Sequence, residues 1–238
     1  MESYEKALQC QNDPYAKAIT QLNMGVIHSM NKSNDTAFKC YVEARDILQQ
    51  IHPCPYEAIT QCQGIIGNYY LTLKDYNTAE DYCCATFEMS NRISLNADHI
   101  RIQSIKALAD LCNKRGMKQH AIDFCQEQLF IYEKEPFENQ ISIANILITI
   151  GELYDDNNDE KIRVLDRALS ILKKNIHIQY AAAADCFFMI AEYYHKRNVD
   201  EKAFDHAMRA LEIRRKIYPN NHSILIETQC LIDAIKSS

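Results

Sequence analysis

A small residue preceded by an apolar one returns at a fixed interval along the chain. The pairs are Met24-Gly25, Ile66-Gly67, Leu108-Ala109, Ile150-Gly151 and Ile190-Ala191, spaced by 42, 42, 42 and 40 residues. Self-similarity at such a period marks stacked supersecondary units, each too small to bury its own hydrophobic face alone. Other positions keep the same time. Three residues after the first small residue stand His28, Tyr70, Cys112, Tyr154 and Tyr194; twelve after it, in four repeats, stand Ala37, Ala79, Ala121 and Ala203. Seven residues further come Ala44, Thr86 and Ala210, with Ala168 as the counterpart in the fourth repeat. Two helix axes approach to about 8–10 Å where small residues meet, while larger side chains fill the flanking grooves. Each unit is therefore read as an antiparallel helix pair, A followed by B. Polar turns separate the two helices at 31–35, 74–75, 114–116, 155–159 and 196–198. Five Gly and five Pro in 238 residues leave little room for a turn-rich, strand-based fold.

Small–x–x–aromatic on helix A, a turn, then alanine and a further small residue on helix B resembles the tetratricopeptide repeat (TPR). A standard TPR spans 34 residues. The longer period here resembles kinesin light chains, as does Ala210-Leu-Glu-Ile-Arg-Arg-Lys-Ile-Tyr-Pro-Asn-Asn-His222. The resemblance covers roughly residues 15–236 and implies an all-α, right-handed superhelical solenoid of about five antiparallel helix pairs plus capping helices. One domain, 1–238, is expected, with repeats at about 16–52, 57–96, 99–135, 140–175 and 180–218. A C-terminal capping helix is expected at 223–236, and a partial cap from Tyr4 to Gln11. Repeat four is two residues short and carries Glu160-Lys161-Ile162 where the alanine belongs, so a shortened turn or kink is expected there. The heptad region through which kinesin light chains engage the heavy chain is missing, and the chain is not expected to act as a complete light chain.

Composition narrows the function classes. A net charge of −6 works against a general nucleic-acid or anionic-membrane binder, both of which need a cationic face. The local strip Arg209, Arg214, Arg215 and Lys216 reads as a solvated helix end. No run of about 18 apolar residues would span a membrane. The polar start Met1-Glu-Ser-Tyr-Glu is no signal peptide. The ten cysteines form no C-x-x-C pair and read as reduced, largely buried thiols, which implies a cytoplasmic protein. In Cys83-Cys84 the first is expected in the core and the second near the groove edge. No phosphate loop, dinucleotide fingerprint, H-E-x-x-H or G-x-S-x-G occurs, so no enzyme, cofactor or metal site is expected. His99, His120, His195 and His206 read as surface or interhelical residues. Asp155 to Asp159 lacks the central Gly and distal Glu of a calcium loop and reads as a turn capping the next helix.

What remains is recognition. In a TPR superhelix the A helices line the concave surface, through residues just before and after the small crossing residue. Here those are Leu22, Val26 and Ser29; Gly64, Asn68 and Leu71; Lys106, Asp110 and Asn113; Ile148, Glu152 and Asp155; Phe188, Glu192 and His195. One turn earlier lie Gln61, Gln103, Asn145 and Asp185. Asn and Gln can clasp an extended peptide backbone, having donors and acceptors. The carboxylates around Phe188 suit a Lys- or Arg-bearing segment, although an ordinary hydrated groove would look alike. The Lys–Asn clamp of chaperone-docking TPRs is matched only at Lys106 and Asn68, since Leu22 and Val26 stand in the first repeat. The leading expectation is a non-catalytic adaptor holding a protein or peptide segment, basic toward its C-terminal half. The alternative is a peptide-sensing receptor of the bacterial quorum-signalling type, whose added effector module is not expected to find room in this sequence. A monomer is expected, because the polar segment Ser223–Lys236 works against end-to-end stacking.

Overall fold

The computed structural model describes residues 13–31, 33–92, 98–134, 139–174 and 180–237. The expected cap from Tyr4 to Gln11 lies outside them. The described residues form eleven helices and no strand: α1 (Pro14–Met30), α2 (Asn34–Gln49), α3 (Tyr56–Thr72), α4 (Tyr76–Arg92), α5 (Asp98–Lys114), α6 (Lys118–Tyr132), α7 (Gln140–Leu153), α8 (Asp159–Lys174), α9 (Tyr180–His195), α10 (Asp200–Ile217) and α11 (Ser223–Ser237). They divide into two compact units, one ending at Met117 and the other beginning at Lys118.

In the first unit α1 packs on α2 and α3 on α4, with α5 closing over α3 and α4. Local chemistry sets the boundaries. Asp13 accepts a hydrogen bond from the Tyr15 N–H at 3.0 Å and Pro14 opens α1, where its missing N–H costs nothing. Between α3 and α4 the chain turns through Lys74 at φ 62°, and after α5 through Gly116 at φ 79°. In each case the residue after the turn donates back to the third marker of the repeat, Asp75 N–H to the Tyr70 carbonyl and Met117 N–H to that of Cys112. This is the helix-ending arrangement that satisfies orphan carbonyls and requires a left-handed residue.

Helix α4 shows what holds such a unit together. Its Tyr, Asn, Thr, Cys, Phe and Ser residues are mediocre helix formers, each about 0.5 kcal/mol worse than alanine. It is held by burial of one stripe of small side chains, Ala79, Cys83, Thr86 and Ser90, all 2% exposed or less. The crossing residues fit their mates. A methyl on Gly67 would stand 3.1 Å from Cys83 Sγ, and one on Gly25 would strike the Tyr41 ring, 2.6 Å from Cδ1.

The second unit packs α6 on α7, α7 on α8, α9 on α8 and α10, and α11 on α10. Asn198 supplies the left-handed turn residue after α9 (φ 57°), and Val199 N–H donates to the Tyr194 carbonyl. Repeat four does not use this device. Its missing two residues come off the end of helix A: α7 stops at Leu153, Tyr154 is extended, and Asn158 caps α8 by accepting from the Glu160 N–H at 2.9 Å. Lys161 then occupies the alanine position and is buried, its ammonium donating to Asp156 at 2.5 Å. Leu165, four residues on, fills the space over Gly151, where a methyl would come within 2.7 Å of it. α11 covers α10 through Leu225, Ile232 and Ile235, which share a core with Ala207 and Leu211.

Candidate peptide-binding site

In the first unit a narrow cleft, with a cavity of about 30 Å³ at its base, runs between α3 and α5 with α4 beneath it. Its α3 wall is Thr60, Gln61, Gly64, Ile65 and Asn68, its α5 wall Ile100, Gln103, Ser104 and Ala107, and its floor Cys83 and Thr86. Helical spacing explains the selection: positions i, i+4 and i+8 of α3 and i, i+4 of α5 share a face. Gly64 and Ala107 keep the walls apart, while the exposed amides Gln61, Asn68 and Gln103 stand at the rim. Burial pushes the Cys83 thiol up to about 11, and that of Cys62, an α3 residue in the core, up to about 12, so both stay protonated. Cys84, next in sequence, is exposed.

Elsewhere on α5, Lys106 and Asn113 are exposed, and Asp110 is engaged by Lys114 at 2.7 Å. In repeat one, Leu22 is buried in the core while Val26 and Ser29 are exposed.

In the second unit two of the four singled-out carboxylates already have cationic partners. Asp155 pairs with Lys118, and Asp185 accepts from Arg214 at 2.8 Å. Phe188 is buried, with the Arg214 guanidinium 4.5 Å above its ring. His195 meets Asp200 across the α9–α10 turn at 3.1 Å. Asn145 is half-buried on α7, Ile148 is in the core, and Glu152 is exposed one turn on. Burial raises the Glu192 carboxyl above its ordinary range, against the pull of Lys196 and Lys161, with Asp156 and Glu227 adding to the rise. Asp156 goes the other way. Burial would raise it, but hydrogen bonds from Lys161 and Lys196 outweigh that and hold it low.

Two residues here escaped the sequence reading. Arg214 is no solvated helix end: it is 5% exposed, donates to Thr228 Oγ1 at 2.7 Å as well as to Asp185, and so ties α9, α10 and α11 together. Its spacing of four from Ala210 carried that signal. Glu227 on α11 lies near Glu192 and extends the acidic character of that face.

No protein-family model matches the chain. It is 22% identical over 200 residues to Protein KINESIN LIGHT CHAIN-RELATED 1 of Arabidopsis thaliana, across 83% of this chain and 32% of that protein. Thus it spans about a third of the curated relative that it matches. Among solved structures it resembles BtubC (BKLC) from P. vanneervenii, with a TM-score of 0.65, 17% identity, and coverage of 84% of this chain and 81% of that one. It also resembles the nearly identical TPR-like repeats of a kinesin light chain from Podosopora anserina, with a TM-score of 0.52, 15% identity, and coverage of 87% and 98%. The chain has the TPR fold, and its repeats are similar to those of kinesin light chains. Its fold is accordingly the all-α helical-repeat solenoid, and among the described residues no helix is long and apolar enough to cross a membrane. Among those residues, too, no group of three metal-capable side chains converges.

Proposed function

We propose that this TPR protein is a non-catalytic protein-interaction scaffold that holds an extended segment of a partner protein at the α3–α5 cleft. The observation that carries this reading is the convergence of Gln61, Asn68 and Gln103 on one cleft kept open by Gly64 and Ala107. Side-chain amides present both donors and acceptors, which suits an extended backbone whose own N–H and C=O groups are unpaired. The flanking polar residues Lys106, Asp110 and Asn113 would continue the contact along α5. In the second unit Asn145, Glu152, Asp185, Phe188, Glu192 and His195 are proposed as a further contact surface. A basic segment there would meet Glu152, Glu192 and Glu227 most directly, because Arg214 already engages Asp185. The sequence repeat runs through both units, which supports one solenoid domain, and the net negative charge supports a protein rather than nucleic-acid partner. A monomeric, cytoplasmic protein is part of the same reading; free cysteines suit a reducing compartment.

The test is affinity capture with the full chain, followed by mass spectrometry of what is retained. Gln61→Ala, Asn68→Ala and Gln103→Ala combined should lose the partner while keeping the helical signal. Retention of every partner by that triple variant would remove the cleft from the function. Charge reversal at Glu152 and Glu192 should weaken capture and flatten its salt dependence; no change in either would end the case for a basic segment.

A further inference from the structure

The depth of the α3–α5 cleft is more particular than its rim. Thr60, Thr86 and Ser104 line it, and they are 0, 2 and 3% exposed. Each hydroxyl has a carbonyl of its own helix within donating reach: Thr60 to Tyr56 O at 2.7 Å, Thr86 to Tyr82 O at 2.6 Å and Ser104 to Ile100 O at 2.8 Å, with Ser90 Oγ a longer contact of Ser104 at 3.4 Å. A hydroxyl has one proton and two lone pairs, so what these groups can still offer a visitor is acceptor capacity. None of the lining residues is charged. A lysine ammonium entering here would be desolvated without a countercharge, and an aliphatic group would leave the buried lone pairs without a donor. A neutral group with N–H donors avoids both costs. A carboxamide does so best: its two N–H bonds can face the buried oxygens while its own oxygen meets an amide of the rim.

The opening itself is specific to repeat two. The residues equivalent to Gly64, stepped by the repeat, are Leu22, Lys106, Ile148 and Phe188. Gly64 lies off the crossing position held by Gly67, and a methyl on it would make ordinary contact, 3.4 Å from Thr86 Cγ2. No close helix approach demands a glycine there. A helix-weakening residue where every other repeat has a large side chain leaves a vacant side-chain position over the hydroxyl floor.

We infer that this cleft is a specificity pocket that takes one side-chain carboxamide, Asn or Gln, of the bound segment. The inference rests on the proposed role of the same cleft in holding a partner. A positional-scanning library of unstructured dodecapeptides, with one residue fixed at the centre of each pool, tests it against the full chain by fluorescence anisotropy. The Asn and Gln pools should bind at least about fivefold better than the Leu and Lys pools, the worth of roughly one net hydrogen bond. Thr86→Val keeps the shape and removes an acceptor, and Ser104→Ala does the same on α5; in either the preference should shrink to about twofold or less. Gly64→Leu should abolish the preference while leaving weak, rim-dependent binding. Helical melting curves establish that each variant folds, and if one valine or alanine variant does not, the other carries the comparison. Equal binding of Leu and Asn pools by the unmodified chain would overturn the inference, as would an undiminished Asn preference in Thr86→Val. If instead no pool binds better to the unmodified chain than to the Gln61/Asn68/Gln103 triple alanine variant, the partner-binding role of the cleft falls, and the pocket with it.

Discussion

Four of the five glycines lie inside helices without positive φ, so adding one methyl to each isolates the effect of the neighbour. In a helix interior, Gly→Ala is favourable by about 0.5–1 kcal/mol when nothing obstructs the methyl. At Gly64 the nearest atom would be Thr86 Cγ2 at 3.4 Å, ordinary contact, so Gly64→Ala should stabilise by about 0.5–1 kcal/mol. At Gly67 the methyl meets Cys83 Sγ at 3.1 Å and Tyr82 Cβ at 3.2 Å, and the gain should roughly cancel. At Gly151 it comes within 2.7 Å of Leu165 Cδ2, in a side chain that is fully buried. Overpacking of that kind costs about 1–3 kcal/mol, leaving a net loss of about 1–2 kcal/mol. Gly25→Ala should be worst, because the atoms it strikes belong to the stiff, 5% exposed ring of Tyr41. The assay is urea unfolding followed by helical circular dichroism. Midpoints should be compared rather than extrapolated free energies, since repeat arrays can unfold in more than one step. The expected order of midpoints is Gly64→Ala, unmodified chain and Gly67→Ala together, Gly151→Ala, Gly25→Ala. If Gly64→Ala lost as much as Gly25→Ala, close helix crossing would not be why these glycines are there. A second check uses the mate. Gly151→Ala with Leu165→Ala copies the Ala191 and Ala207 of repeat five, and the double variant should lose about 1 kcal/mol less than the sum of the singles.

Arg214→Ala should destabilise by about 1–3 kcal/mol, the figure held down because Asp185 is half-exposed and can be rehydrated; Arg214→Met, which keeps the stem over Phe188, should recover part of it in thermal melts. Asp156 is held below its ordinary range in the folded chain, so its contribution is present above pH of about 4 and fades as the pH falls through its folded value. Asp156→Asn should therefore lower Tm at neutral pH and flatten the acid loss, and an unchanged acid profile would contradict the pairing with Lys161 and Lys196. Glu192 has the opposite sign: its folded carboxyl is raised, so the charged form opposes folding at neutral pH. Glu192→Gln should raise Tm at pH 7, with the difference closing as the pH drops below the folded value. Under native conditions iodoacetamide should label the exposed Cys84 and Cys230, whereas Cys62 and Cys186 should react only after unfolding.

The helix pairs were legible because close crossing admits few residue types, and those types recur on a fixed period. The left-handed turn was legible in Gly116 and in Asn198, the residue types that most readily take positive φ; Lys74 holds the same place by following the same helix-ending bonds, which its side chain does not announce. Lys161 was visible as a departure, ten residues after Gly151 and seven before Ala168. That it would be buried could not be read, because its countercharge, Asp156, depends on where the shortened α7 releases the chain. On the candidate site, Gln61, Asn68 and Gln103 followed from helical phase. Phe188 and Asp185 were assigned to the same kind of surface, but the structure engages both through Arg214, a contact from a different helix some 26 to 29 residues away in sequence. Phase along one helix says which way a residue points. It does not say what arrives to cover it.

Among the described residues the four intra-unit crossings each carry a different pairing: glycine with tyrosine, glycine with cysteine, glycine with leucine, and alanine with alanine. A chain of near-identical hairpins runs a particular risk while folding, because any helix A could dock on the wrong helix B and bury nearly as much apolar surface. Unequal division of one small space gives each A helix a mate of its own. Tyr41 cannot sit over Ala191 without a clash, and Ala207 over Gly25 would leave a void. The assortment of side chains at these crossings thus acts as a set of differently cut keys that sorts the hairpins during assembly.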